Sequence, residues 1–230
     1  MLNYEVEPSL LKRHVPPGTS LDSFEGRIYL SLAGFRFSHT KLLGRFAVPF
    51  HGDFDEVNLR FYVRRKHRGV DRRGDDRRGV VFIAEVVPRR AIAAIARLVY
   101  GENYKYSPMR HRIDVGESSK TTEYQWKAGG QWCTLSAQTT GLPARPQEGS
   151  LEQFITEHYW GYSKQRTGGC LEYHVSHVPW QVWTAPTAGF EGEASTLYGS
   201  ELATVLQQRP DCTFVADGSS VIVFKGNRLQ

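Results

Sequence analysis

Cysteine is scarce in this chain of 230 residues: Cys133, Cys170 and Cys212, an odd number and far apart. No two have the short spacing of a metal-binding or redox motif, so they read as reduced thiols and imply a cytoplasmic protein. Long apolar runs are absent as well. None approaches the roughly 20 residues that a membrane-spanning helix needs. The first residues, MLNYEVEPSLLKRH, lack the apolar core and cleavage site of a secretory signal. There is no Gly-rich phosphate loop, nucleophile elbow or zinc motif, no repeat and no low-complexity segment. No metal or other cofactor is therefore expected.

The chain is long enough for one large or two small domains and can bury a core without disulfides. Its net charge of +5 is unevenly spread. Residues 60–78 hold eight Arg and one Lys against three Asp, a local +6 that leaves −1 for everything else. The basic character thus belongs to one segment. It is no footprint of a surface built for nucleic acid.

Period-2 alternation predicts strands over 26–38 and 56–64. In the second, Val57, Leu59, Phe61 and Val63 point one way and Glu56, Asn58, Arg60 and Tyr62 the other. GVVFIAEVV, residues 79–87, reads as a strand buried on both faces. The basic stretch 65–78 then becomes the solvated tip of a long β-hairpin. A helix is predicted over 88–100, with Pro88 at its first position. Further strands are predicted near 109–116, 121–128 and 131–139, the last two joined by Gly129-Gly130. Ser150 caps a short helix through 157, with Gln153 placed as in a capping box. Strands near 158–165, 170–177, 212–216 and 220–225 and a helix near 200–208 complete a mainly β barrel or sandwich with a few short helices.

Arg89 and Arg90 break a local rule. They follow Pro88 at the start of a helix, where the dipole and unpaired N–H groups already make the end positive. Two fixed cations there call for a compensating anion, either a bound acid or a carboxylate such as Glu56 or Glu85.

The runs VPPGTSLDSFEGRIYLSLAGFRF, HGDFDEVNLRFYVRR, RRGVVFIAEVVPRRAIAAIARLVYGENY and PMRHRI closely resemble the YqjF-like family of uncharacterised bacterial proteins, a domain of unknown function within the acetoacetate decarboxylase-like superfamily. The resemblance covers about residues 1–225. It implies a single domain over residues 1–230, a decarboxylase-like barrel with a central apolar cavity, and the possibility of a homo-oligomer. Relatives often extend before Met1, which implies a chain that starts late or lacks a first strand. In the decarboxylases the matching site is Pro-Lys-Lys, whose first lysine forms a Schiff base and whose second lowers its pKa. Here it is Pro88-Arg89-Arg90. A guanidinium offers no free amine at ordinary pH, so that chemistry is excluded at this site. What remains is a pair of cations suited to gripping a carboxylate. The resemblance also makes Glu56 the match for a glutamate near the pocket.

Other residues carry weaker signals. Lys105 reads as a loop surface lysine rather than a relocated nucleophile. His111, His158, His174 and His177 lack the clustering of a metal site, and the three-residue spacing of His174 and His177 puts them on opposite faces of a strand. Cys133 reads as a small core residue. The aromatics of the C-terminal half are core filling, with some available for a cavity wall.

The expected function is binding of a small acidic molecule by Arg89 and Arg90 with Glu56 as pairing or proton-transfer partner. Whether a reaction follows is left open. The alternative is a nucleic-acid or protein interaction module using the hairpin 64–78, disfavoured because aspartates dilute its field and no aromatic platform interleaves it. Borohydride treatment in the presence of acetoacetate is expected to leave the mass of the peptide carrying Arg89 and Arg90 unchanged. A reduced adduct on that peptide would contradict the exclusion.

Overall fold

The computed structural model describes residues 1–37, 41–42, 46–47, 53–66, 76–99, 101–165 and 168–229. The first half contains β1 (Leu2–Glu5), α1 (Pro8–Leu11) with a 3-10 turn at Lys12–His14, β2 (Ser20–Leu21), β3 (Tyr29–Phe37), β4 (Lys41–Leu42), β5 (Phe46–Ala47), β6 (Phe54–Arg65), β7 (Arg77–Val87), α2 (Arg90–Val99), β8 (Tyr104–Tyr106) and β9 (Met109–Val115). There follow β10 (Lys120–Ala128), β11 (Gln131–Ala144), α3 (Leu151–Thr156), β12 (Trp160–Lys164), β13 (Cys170–Ser176), β14 (Val182–Glu191), α4 (Ser195–Tyr198), α5 (Ser200–Leu206), β15 (Cys212–Ala216), β16 (Ile222–Val223) and β17 (Asn227–Leu229).

Fifteen strands form one sheet in the order β16, β13, β12, β7, β6, β3, β1, β15, β14, β11, β10, β9, with β17 also on β13, β2 on β6 and β8 on β7. Every pairing in it is antiparallel except those of β7 with β12 and β8. The expected mainly β fold with short helices is present. Among the described residues no pairing joins β16 to β9, so hydrogen bonds do not close the sheet into a barrel.

Local chemistry accounts for several elements. Gly129 and Gly130 take φ of 55° and 88°, which the two-residue loop between Ala128 and Gln131 requires. Ser150 caps α3 by accepting the Gln153 N–H at 3.2 Å, while the Gln153 amide oxygen accepts from Gly149 N at 2.8 Å instead of from Ser150. Helix α2 starts later than Pro88: Arg89 holds the cap position, its carbonyl accepting from Ala93 N at 3.1 Å, and Arg90 is the first helical residue. Strand β14 has no clear period-2 signal, being interrupted by Pro186 and Gly189. It is held by its pairing with β11 and β15. The centre of the expected basic tip, 67–75, lies outside the described residues; its base is β6 paired with β7 as far as Arg65 opposite Arg77.

Strand β6 places the site. Val57, Leu59, Phe61 and Val63 join Leu30, Leu32, Trp126 and Leu202 in the main core. Its other face is also inside: Glu56, Asn58 and Tyr62 are buried and Arg60 is half-buried. Between β6 and β7 the register slips, leaving Ile83 unpaired, and Asn103 Nδ2 donates to its carbonyl at 2.7 Å. The bulge sets Glu85 opposite Asn58 and Phe82 opposite Arg60. Helix α2 covers one end of this face with Ile92 and Ala93 against Phe54, Val87 and Tyr104, and α3 covers the other with Phe154 and Ile155 near Tyr62 and Val80.

Gly161 lies opposite Tyr173 across β12 and β13, and a Cβ there would overlap the tyrosine ring. The missing side chain lets the ring lie flat over the strand and carry its hydroxyl to Glu102, 2.8 Å away. Gly161→Ala is expected to destabilise the protein by about 1–3 kcal/mol through overpacking. The thermal midpoint should fall by roughly 2–4 °C per kcal/mol. A melt indistinguishable from the unmodified protein would show that the ring is free to shift.

Candidate functional site

Arg89 and Arg90 are exposed. The Arg90 guanidinium lies 4.8 Å from the centroid of the Tyr106 ring, a cation–π contact at the surface. Among the described residues neither arginine forms an ion pair, so Glu56 and Glu85 do not neutralise them. Two surface clefts, one of about 660 Å³ lined by Pro8, Lys12, Pro16 and Thr19 and one of about 210 Å³ lined by Arg145, Gln153 and Pro179, include none of Arg89, Arg90 and Glu56.

Glu56 instead belongs to a buried polar stripe. From β6 come Glu56, Asn58 and Arg60, from β7 Glu85, from the turn before β8 Glu102, from β8 Tyr104, and from β13 Tyr173. Glu56, Glu85 and Glu102 are only 1%, 2% and 6% exposed. Asn58 Nδ2 donates to Glu56 Oε1 and the Tyr104 hydroxyl to Glu56 Oε2, both at 3.0 Å. Three polar atoms on adjacent positions of this face have no partner among the described residues: Asn58 Oδ1, Glu85 Oε2 and Arg60 Nε. Unpaired buried polar atoms are uncommon, and each calls for a partner such as a water, an ion or a ligand.

Burial dominates the acid–base behaviour. It raises Glu56 to about 7 against the hydrogen bonds from Asn58 and Tyr104 and the nearby Arg60 charge. Burial raises Glu102 to about 8, opposed by the Tyr173 hydrogen bond and reinforced by Glu56. Glu85 is pushed well above the carboxylate range by burial and then by Glu102 and Glu56. Near neutral pH the stripe therefore holds both neutral carboxylic acids and carboxylates, the combination that proton transfer needs.

Only Glu56 and Glu85 of this group carry a sequence signal. Glu85 is a lone acid inside an apolar run, and Glu56 opens a polar face on a strand whose neighbour is buried. Glu102 and Tyr104 share the short segment after α2 and Tyr173 lies far downstream, and no local pattern connects them with Glu56.

The remaining candidates have other surroundings. Lys105 is half-buried on β8, its Nζ donating to the Leu197 carbonyl at 2.7 Å, and burial lowers its pKa. His111 Nδ1 is 2.8 Å from Asp55 Oδ2. His158 is buried between Tyr62 and Phe154, and burial lowers it to about 4, leaving it neutral. His174 lies against Trp160 and Phe224, whereas His177 lies against Tyr159 and Trp180. Cys133 is a fully buried core residue. At the hairpin base, Arg65 and Arg77 reach opposite oxygens of buried Glu172 at 3.0 and 2.6 Å, and Arg78 Nε reaches Asp22 at 2.6 Å. Arg65, Arg77 and Arg78 of the basic segment are thus held by acids within the fold.

A raised carboxyl pKa has a definite sign in stability. The contribution is full below the ordinary carboxylate range and is lost as pH rises through about 7 for Glu56 and about 8 for Glu102. Unfolding free energy is expected to fall by on the order of a few kcal/mol between about pH 5 and 8. Glu56→Gln should flatten that slope. Denaturant titrations across this range check it, and a pH-independent midpoint would contradict the buried placement.

The geometry can be set beside known proteins. The chain is 25% identical over 189 residues to the uncharacterized protein YqjF of Bacillus subtilis (strain 168), covering 80% of this chain and 71% of that one. In structure it is similar to an acetoacetate decarboxylase from Legionella pneumophila, with a TM-score of 0.61, 16% identity and coverage of 100% of this chain and 83% of that one. It is also similar to the enduracididine biosynthesis enzyme MppR complexed with pyruvate, with a TM-score of 0.64, 13% identity and coverage of 100% and 86%. The acetoacetate decarboxylase-like fold is thereby shown. The DUF2071 family, described as an uncharacterized conserved protein, matches residues 1–220, and the chain belongs to that family.

Proposed function

We propose that this protein acts as one domain that binds a small acidic molecule at the polar stripe of β6 and β7, with an arginine holding the acid group and Glu56 exchanging a proton with the ligand. The single observation that carries this is the group of unpaired atoms on Asn58, Arg60 and Glu85. Arg60 is the inner cation. It is half-buried, lies close enough to Glu56 to favour the carboxylate, and gives the stripe a partly exposed end. Arg89 and Arg90 serve as outer cations. Among the described residues they have no carboxylate partner, and they stand at a helix start, where the local potential is positive and draws anions. One structural relative gives limited support, since MppR forms a complex with pyruvate, a small acid. Schiff-base chemistry at Arg89 is outside this mechanism. The free thiols suit a cytoplasmic setting.

Calorimetric titration with acetate, pyruvate, acetoacetate and succinate tests the proposal. At least one acid is expected to bind. Arg60→Ala should weaken it about tenfold or more, equivalent to about 1.4 kcal/mol. Arg89→Ala with Arg90→Ala should weaken it less and mainly at low salt, as expected of charges acting over a distance. Unchanged binding of every acid in both variants would refute these roles.

A further inference from the structure

The polar stripe holds idle hydrogen-bonding atoms of both kinds, with Asn58 Oδ1 and Glu85 Oε2 beside Arg60 Nε. Both oxygens of Glu56 are occupied, by Asn58 and Tyr104, and Glu102 Oε1 accepts from Tyr173. Among the described residues Glu85 Oε2 and Asn58 Oδ1 have no hydrogen-bond partner. Asn58 is 1% exposed and has no charge of its own, so its idle oxygen is an observation independent of the acidic cluster. The titratable and charged groups of the stripe are Glu56, Arg60 and Tyr62 from β6, Glu85 from β7, Tyr104 from β8, Glu102 from the segment before it and Tyr173 from β13, with the Met1 amino group and His158 beside Arg60. On α2, Arg90 and Arg97 are exposed, and Arg97 Nε is spent on the Ala93 carbonyl at 3.1 Å. Arg60 is thus the one cation among the described residues that offsets Glu56 in this stripe.

A metal ion does not fit. Among the described residues no group of three or more His, Cys, Asp or Glu side chains is placed to share one ion. The carboxyls influence each other electrostatically yet form no such group. A polyatomic cation with several N–H donors can meet a different acceptor with each of them.

We propose that the small acid bound here also carries a guanidinium or ammonium group, whose N–H donors meet Asn58 Oδ1 and Glu85 while its carboxylate meets Arg60. The proposal rests on the acid-binding role of the stripe. Asn58 and Arg60 are two residues apart on one strand face, about 7 Å at strand rise. That span suits an ω-guanidino or ω-amino acid with a three- to five-carbon chain. Binding of the cation favours ionised carboxyls, so it releases protons and tightens as pH rises through the range in which Glu56 and Glu102 titrate.

The test uses three probes on the whole chain: 4-guanidinobutyrate, butyrate and propylguanidine. Calorimetry is run from pH 6 to 8.5 in two buffers of different ionisation enthalpy, which counts protons without any variant. The guanidino acid is expected to bind at least tenfold more tightly than either half-molecule and to release about one proton at pH 7. Glu85→Gln is expected to shrink the ratio between guanidinobutyrate and butyrate. Equal binding of butyrate, dependent on Arg60 and without proton release, overturns the cationic half and leaves the acid-binding role standing. Equal binding of propylguanidine removes the acid half. Failure of all three on protein that melts cooperatively overturns this proposal, while the acid panel judges the broader one separately.

Discussion

Strand β6 is buried on both faces, and its second face is polar. In an antiparallel sheet one face commonly meets solvent, where Glu56, Asn58 and Arg60 would need no partners. Here α2 and α3 close over the two ends of that face. Each polar group then needs a partner within the protein or from a ligand. Tyr104, Tyr173 and the bulge at Ile83 follow from that requirement. The tyrosines bring hydroxyl donors to Glu56 and Glu102, and the bulge brings Glu85 level with Asn58. Gly161 has a part in the same arrangement, since only an absent side chain leaves room for the Tyr173 ring.

The arginine pair occupies a different electrical environment. Arg89 and Arg90 sit on the solvent side of the turn from β7 into α2. High dielectric and stacking of Arg90 on Tyr106 make two cations tolerable at a helix start without a buried acid beside them. Acid–base capacity lies in the stripe, where burial holds carboxyls between their two protonation states near neutral pH.

The basic hairpin shows the same economy of charge. Glu172, buried beside Tyr162, takes Arg65 and Arg77 from opposite strands, and Arg77 also stacks 4.1 Å over Trp160. Asp22 takes Arg78. Arginines that look like a free positive patch in the linear sequence are fastening the base of a long hairpin.

The primary structure alone was enough for the strand-rich class, the β6–β7 hairpin, the Gly129-Gly130 turn and the Ser150 cap. Each depends on residues close together in the chain, or on the chemistry of one side chain. It also marked Glu56 and Glu85, because an acid in a buried strand contradicts its local pattern. Tertiary packing alone decided that the polar face of β6 turns inward and that Arg89 and Arg90 face outward. It likewise brought Glu102 and Tyr173 into one group with Glu56 from positions 46 and 117 residues further along the chain. Period-2 alternation says which residues share a face and nothing about what covers that face. Only the helices that pack over it, and the strands that meet at its edge, determine whether its charges meet water or each other.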